Sequence, residues 1–268
     1  MKYLWVYCTS LYANICTNLG ASFLSLCQQI GAFIFFTGEG VFYGLIPAFY
    51  LRYFIKTFTE LIFYSLPIVA LTAVFTAMVL ALQSYSAVAQ FNPLEVSSIV
   101  TMGMVREMGP VLTGLIVTGR VGAGLAAEIG SMRISNQIDA LVTLGVNPFK
   151  YLVGPCIFAG LCAVPLLTAI ADILGIFGGY LVGHFSFGLD TVLYLHQGFE
   201  ALNAHDVIVG FSKAAIFGII LTTAGCYTGY TANSGASGVG KATTNAVVLS
   251  SLLILAFDFA ITRFFFVR

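Results

Sequence analysis

Charged residues are scarce in this sequence, so those lying inside apolar stretches are the first candidates for chemistry. The densest case is Arg106-Glu107-Met108-Gly109-Pro110, two adjacent ionic side chains within an otherwise apolar run. A charge at bilayer depth costs several kcal/mol unless it finds a partner or a water-filled cavity. On a helix, neighbouring side chains point about 100° apart, so Arg106 and Glu107 serve different neighbours rather than each other. Pro110 has no N–H and its ring clashes with the carbonyl four residues back, that of Arg106, so Gly109 and Pro110 should bend or loosen the helix at the two charges. Two readings follow: a structural kink with satisfied charges, or a polar point on a substrate path, the second being preferred. Asp172, Lys213 and Asp258 are further isolated charges, each reading equally well as a tether between helices.

The second candidate is Ile134 to Pro148, a short amphipathic helix. Ser135 can cap it, Asp139 falls in its first turn, Gly145 ends it and Pro148 prevents its resumption. Ile134, Ile138, Leu141 and Leu144 lie near one face, opposite Ser135, Asn136, Asp139 and Thr143. At about 1.5 Å per residue it is too short to cross a bilayer. It either lies on the membrane or forms a docking ridge for a cytoplasmic partner.

Other patterns carry less. Gly235-Ala236-Ser237-Gly238-Val239-Gly240-Lys241 matches most of a phosphate-binding loop, but Ala242 follows where Ser or Thr holds magnesium. No β-strand precedes it, so nucleotide binding is not expected there. Asn92-Pro93 and Asn147-Pro148 fall in loops and do not open half-helices at mid-membrane. The cysteines Cys8, Cys16, Cys27, Cys156, Cys162 and Cys226 are scattered without Cys-x-x-Cys spacing and read as small apolar side chains. His184, His196 and His205 lack metal-ligand spacing, and His205-Asp206 reads as a solvated loop or a helix start. No metal or cofactor is expected.

These residues must be positioned by membrane helices. The chain is 59% hydrophobic and 8% charged, against roughly a quarter charged in ordinary soluble domains. Its basic and acidic residues cancel, so no field favours nucleic acid. The best spans are about 61–83, 98–126, 152–183, 207–230 and 244–266, each near the roughly 20 apolar residues a bilayer requires. Residues 4–50 are ambiguous. Hydropathy accepts 20–36 as a sixth span, yet Gly31, Gly38, Gly40, Gly44 and Pro47 interrupt the run, and Arg52 and Lys56 follow, which fits interfacial helices. The N-terminus lacks a compact apolar core and cleavage site, so no removable signal peptide is expected. Segments 84–97 and 184–206 contain no Lys or Arg, whereas Lys2, Arg52, Lys56, Arg133, Lys150 and Lys241 place the N-terminus and the 133–150 and 231–243 loops in the cytoplasm. Arg263 and Arg268 dissent. A short helix is expected within 189–203. Gly175, Gly179 and Gly183, with Gly225 and Gly229, mark close helix packing, within one chain by preference and otherwise at a dimer seam.

Several stretches together resemble the MlaE permease family of lipid-transporting ABC systems. They are Arg106 to Pro110; Gly119-Arg120-Val121-Gly122 through Ala127-Glu128-Ile129-Gly130-Ser131-Met132-Arg133; Gln137-Ile138-Asp139-Ala140-Leu141 to Gly145-Val146-Asn147-Pro148; and Ala242-Thr243-Thr244 with Val247, Val248, Ser250, Ser251 and Asp258. The match runs in order over roughly 60–262. It implies an all-α integral membrane protein forming one permease domain over 1–268, with an N-terminal interfacial elbow region (1–56) and a bundle of five transmembrane helices (57–268). It further implies a homodimer, two cytoplasmic ATP-binding cassette ATPases, an MCE-domain ring on the far side, and phospholipid as cargo. ATP hydrolysis then belongs to the partner chain and this chain is not an enzyme. Arg106 and Glu107, with Gly109 and Pro110, correspond to the substrate path. Ser135, Ile138, Asp139, Leu141, Leu144, Gly145, Asn147 and Pro148 fall on a cytoplasmic coupling helix that fits the ATPase. The chain departs from the pattern at Asn136, Val142 and Cys156, which makes that docking surface less charged. The implied location is the cell inner membrane, multi-pass, with an organellar inner envelope as the alternative. Two other classes compete: a stand-alone channel or secondary transporter, and an intramembrane enzyme, for which no His-Glu-x-x-His, Gly-x-Ser-x-Gly or close aspartate pair is present.

Overall fold

The computed structural model describes residues 2–45, 50–88, 95–233 and 235–266, with backbone only for 2–19, 22, 23, 26, 45 and 266. Among the described residues every regular element is helical. The chain divides into two compact units, Met1–Glu39 and Gly40–Arg268. Helix α1 (Lys2–Leu45) is unbroken, although its glycines led the sequence to predict interruptions. A glycine inside a helix costs only about 1 kcal/mol relative to alanine, so isolated ones weaken a helix without ending it. Pro47 lies outside the described residues.

Five helical stretches are long and apolar enough to cross a membrane. They are α2 (Leu51–Val88), a composite second stretch, a third ending in α7 (Gly154–Phe187), α9 (Ala204–Tyr230) and α10 (Gly235–Phe266). Each contains its predicted apolar core and extends beyond it. Hydropathy excludes polar ends such as Arg52, Lys56, Glu128 and Arg133, but a helix propagates through such residues outside the hydrocarbon. The composite stretch is α3 (Glu95–Gly103), α4 (Gly109–Val117) and α5 (Ala123–Ile134), joined by π-helical turns at Met104–Met108 and Thr118–Gly122. A third π turn, Phe149–Val153, leads into α7. Short α6 (Gln137–Thr143) and α8 (Thr191–Glu200) lie at opposite ends of the bundle, and α8 is the helix expected within 189–203.

Small residues let these helices approach where lipid supplies no hydrophobic gain. On α2, Leu61, Ser65, Val69, Ala73, Ala77 and Ala81 form a buried i, i+4 stripe against α7. Across it, a Cβ at Gly178 would fall 2.6 Å from the Val74 carbonyl, while one at Gly179 would fall 2.7 Å from Val100 on α3. Gly225 and Gly229 face the Gly122 and Ala126 carbonyls of the composite stretch, each 2.9 Å from an added Cβ. Both glycine stripes therefore close contacts within the chain. Helix α9 is the centre, with 61% of its most apolar window buried against 17% in α10. The P-loop-like run is helical: Gly235 to Lys241 forms the first turns of α10, so no phosphate cradle exists there.

Candidate functional site

The first π turn arises where the sequence placed a disturbance. Pro110 cannot donate, and the Gly109 N–H bonds back to the Met104 carbonyl, five residues away, giving the widened turn. That leaves the Arg106 carbonyl short of its helical partner, and the ammonium of Lys213 on α9 donates to it at 3.0 Å. The helix therefore loosens by one residue per turn without breaking, and a side chain from the central helix satisfies the freed group.

Lys213 is the hub. Its side chain is fully buried, and Nζ lies 2.8 Å from Glu107 Oε2, 2.7 Å from Thr262 Oγ1 and 2.9 Å from Asp258 Oδ1. The last is a charge contact without hydrogen-bond geometry. Thr262 in turn donates to Glu107 Oε1 at 3.1 Å. Arg106 turns the other way: Nη2 bonds Asp206 Oδ2 at 2.9 Å. Asp206 is also the N3 member of a capping box with Asn203 at the start of α9, which fixes its carboxylate. The adjacent charges thus serve different neighbours, and Lys213 and Asp258 are tethers joining the second, fourth and fifth stretches. Each pair has a sealed and an open member: Lys213 and Asp206 are 0% and 3% exposed, Glu107 and Arg106 38% and 30%.

Asp172 on α7 contributes differently. Its Oδ1 occupies the place a Cβ at Gly109 would need and has no hydrogen-bond partner among the described residues. Gly109 is thereby required by close approach, and Pro110 beside it is buried.

The predicted coupling segment is present with one change of roles. Ser135 does not cap α6; its hydroxyl donates to the Ser131 carbonyl at 2.8 Å and so closes α5. Asn136, in a left-handed conformation at φ 58°, precedes α6, so the chain reverses before the helix begins and leaves Ser135 on the wrong side of the turn. Asp139 sits in the first turn and pairs with Arg133 at 2.7 Å. The helix ends in a Schellman arrangement: Gly145 has φ 76°, its N–H bonds Val142, and Val146 N–H bonds Leu141. Asn147 Oδ1 accepts from the Phe149 N–H at 2.9 Å, and Pro148 is buried. Ile138 is fully buried and Leu141 half-buried, which anchors α6 to the bundle, while Val142 and Leu144 project at 56% and 77% exposure.

Helices of this length and apolarity, clasped by buried ion pairs, are those of a multi-pass membrane protein. The family model described as Permease MlaE matches residues 54–264, and the chain belongs to that family. It is 44% identical to a probable ABC transporter permease protein of Rickettsia bellii over 94% of this chain and 98% of that one. It is 34% identical to the intermembrane phospholipid transport system permease protein MlaE of Haemophilus influenzae, covering 75% and 78%. A 34% identity also links it to the Arabidopsis thaliana chloroplastic protein TRIGALACTOSYLDIACYLGLYCEROL 1, over 75% of this chain and 58% of that protein.

Proposed function

We propose that the chain is the membrane subunit of an ABC-type transporter moving phospholipid between the membrane and an extracytoplasmic MCE-domain ring, driven by cytoplasmic ATPase subunits. The similarity to ABC transporter permeases over nearly its full length supports the ATPase partnership. The similarity to a phospholipid transport permease supports the cargo. In this reading two copies of the chain assemble in the cell inner membrane, α1 and the residues up to 56 act as the interfacial elbow, and the chain itself hydrolyses nothing. The observation that carries the site assignment is the asymmetry of the ion pairs. Sealed Lys213 and Asp206 hold the partly open Glu107 and Arg106 at a widened turn, where a polar headgroup can meet them. Gly109 and Pro110 maintain that turn.

Coupling falls to α6 and its flanks, from Ser135 to Pro148. Buried Ile138 transmits force to the bundle, and exposed Leu144 offers an apolar knob to the ATPase. The test is Leu144→Glu in the assembled complex. An unpaired charge buried at that contact costs several kcal/mol, so the ATPase subunits should detach on purification while the permease still inserts and keeps its copy number. A complex that stays intact with normal lipid-stimulated ATP hydrolysis removes α6 from the docking surface. A wild-type complex that binds no ATPase at all favours the stand-alone channel or secondary transporter.

A further inference from the structure

Away from the ion-pair hub, a cleft of about 200 Å³ opens between α2 and α5, lined by Thr57, Glu60, Tyr64, Arg120, Gly124 and Glu128 among others. It lies at the end of the bundle where Lys56 bonds Glu128 at 3.1 Å. Glu60 and Tyr64 stand one and two turns further along α2, about 6 and 12 Å deeper. With Lys56 and Glu128 at the membrane surface, that depth would span the headgroup layer and the start of the hydrocarbon. Arg120 occupies the second π turn, and its guanidinium lies 5.1 Å from the centre of the Tyr64 ring. Among the described residues it forms no ion pair or hydrogen bond. Glu60 is 47% exposed and only 4.0 Å from Lys56, whose ammonium is committed to Glu128.

We infer that this cleft holds the headgroup of a zwitterionic aminophospholipid, its phosphate on Arg120 and its primary ammonium on Glu60. This rests on the phospholipid reading above and names the lipid class for it. An arginine within a membrane span is costly without a counter-ion, and a phosphate is the planar guanidinium's natural bidentate partner. The formal charges of Lys56 and Arg120 cancel those of Glu60 and Glu128, so the cleft complements a zwitterion better than an anion. Arg120 covers the one aromatic ring, which leaves no cage for a quaternary ammonium, whereas a primary ammonium can donate to the Glu60 carboxylate. Glu60 and Tyr64 are i, i+4 neighbours, with Cβ atoms about 6 Å apart, and an ethanolamine link spans that scale. Ligand pockets for whole small molecules run to about 300–1,000 Å³, so this volume admits a headgroup while the acyl chains stay in the bilayer.

The test uses the complete transporter, delipidated in detergent and titrated with palmitoyl-oleoyl phosphatidylethanolamine, phosphatidylglycerol or phosphatidylcholine, with bound lipid read by native mass spectrometry. Wild type should bind phosphatidylethanolamine about tenfold more tightly than phosphatidylglycerol or phosphatidylcholine, the scale of one charged hydrogen bond. Glu60→Gln should erase that preference, and Arg120→Gln should weaken all three lipids. Gly124→Leu plugs the cleft without touching a charge; a Cβ there meets nothing within 4 Å, and leucine is the better helix former. It should abolish the preferential binding while the complex keeps its melting temperature. Equal binding of the three lipids by wild type, or undiminished phosphatidylethanolamine binding by Gly124→Leu, overturns the inference. So does loss of the dimer in Gly124→Leu, which assigns the cleft to a subunit contact. Lipid transfer between vesicles separates the two readings: normal transfer by Gly124→Leu leaves phospholipid transport standing and removes the cleft, whereas no transfer by wild type removes both.

Discussion

A single ammonium holds three membrane stretches together, and its neighbours divide the work between anchoring and exposure. Lys213 meets two carboxylates, a hydroxyl and a backbone carbonyl with no solvent access. Lys213→Met fills similar volume but strands Glu107 and Asp258, and breaking a buried pair costs about 3–5 kcal/mol. A large fall in melting temperature is expected, read in detergent by a thermal-shift assay. Glu107→Gln differs: the amide oxygen can still accept from Lys213, and the Thr262 hydroxyl, which now donates to the other carboxylate oxygen, can turn to accept from the amide NH2, so the contacts survive with one reversed and the charge is lost. Melting should stay near wild type while lipid transfer falls, and Arg106→Gln should behave alike if Arg106 faces the path. A steep drop in melting with transfer per folded complex unchanged assigns both residues to the scaffold.

The helices pack through backbone, and this too can be tested. Gly160 on α7 and Gly218 on α9 abut so closely that a Cβ on either would run into the other's carbonyl. Backbone cannot swing aside as a side chain can, so Gly218→Ala should destabilise the bundle by about 1–3 kcal/mol, an overpacking penalty. Gly240→Ala, with open space around it, is the matched control and should leave melting unchanged. The spans were legible in the sequence because a twenty-residue apolar run has few other fates. The π turn at Arg106 was signalled by Gly109-Pro110, and Gly154-Pro155 carries the same signal directly after the π turn at Phe149–Val153. That second signal stands beside no pair of charges, so in the sequence it is a bare Gly-Pro dipeptide. The turn at Thr118–Gly122 has no proline, and in the sequence Arg120 stands out only as part of the Gly119-Arg120-Val121-Gly122 motif, not as an intramembrane charge. The partners of Lys213 were not legible. Glu107 lies 106 residues away in sequence, and which faces meet is decided by tertiary packing. Ser135 was misassigned because a serine before a helix and a serine closing the previous one look alike until the turn at Asn136 is known.

For the whole molecule, alternation of five stretches puts α6 and the α9–α10 connection on one side of the membrane and α8 on the other. The distribution of basic residues predicts that the first side is the cytoplasmic one. Asn136 is in a left-handed turn and Asn203 caps α9, so the exposed Gln137 and Glu200 are better reporters. Glu200→Cys should react with an impermeant maleimide in intact cells, and Gln137→Cys only after the membrane is opened. The reverse labelling pattern inverts the topology.

The buried lysine also governs how the chain is made. An isolated lysine at the centre of a membrane helix opposes insertion by about 2.5–3.5 kcal/mol, yet the most apolar stretch of α9 keeps a mean hydropathy of 1.9. Its counter-ions arrive at different times: Glu107 precedes Lys213 in the chain and is already embedded when α9 emerges from the ribosome, whereas Asp258 follows it. The nascent α9 therefore meets one carboxylate at once and the second only after α10 is synthesised. A chain cut short before Asp258 keeps only Glu107, and one whose second span inserts upside down keeps only Asp258, so either leaves the ammonium with one of its two carboxylates. Such a misassembled product differs from the finished protein in a way that membrane quality-control proteases can recognise.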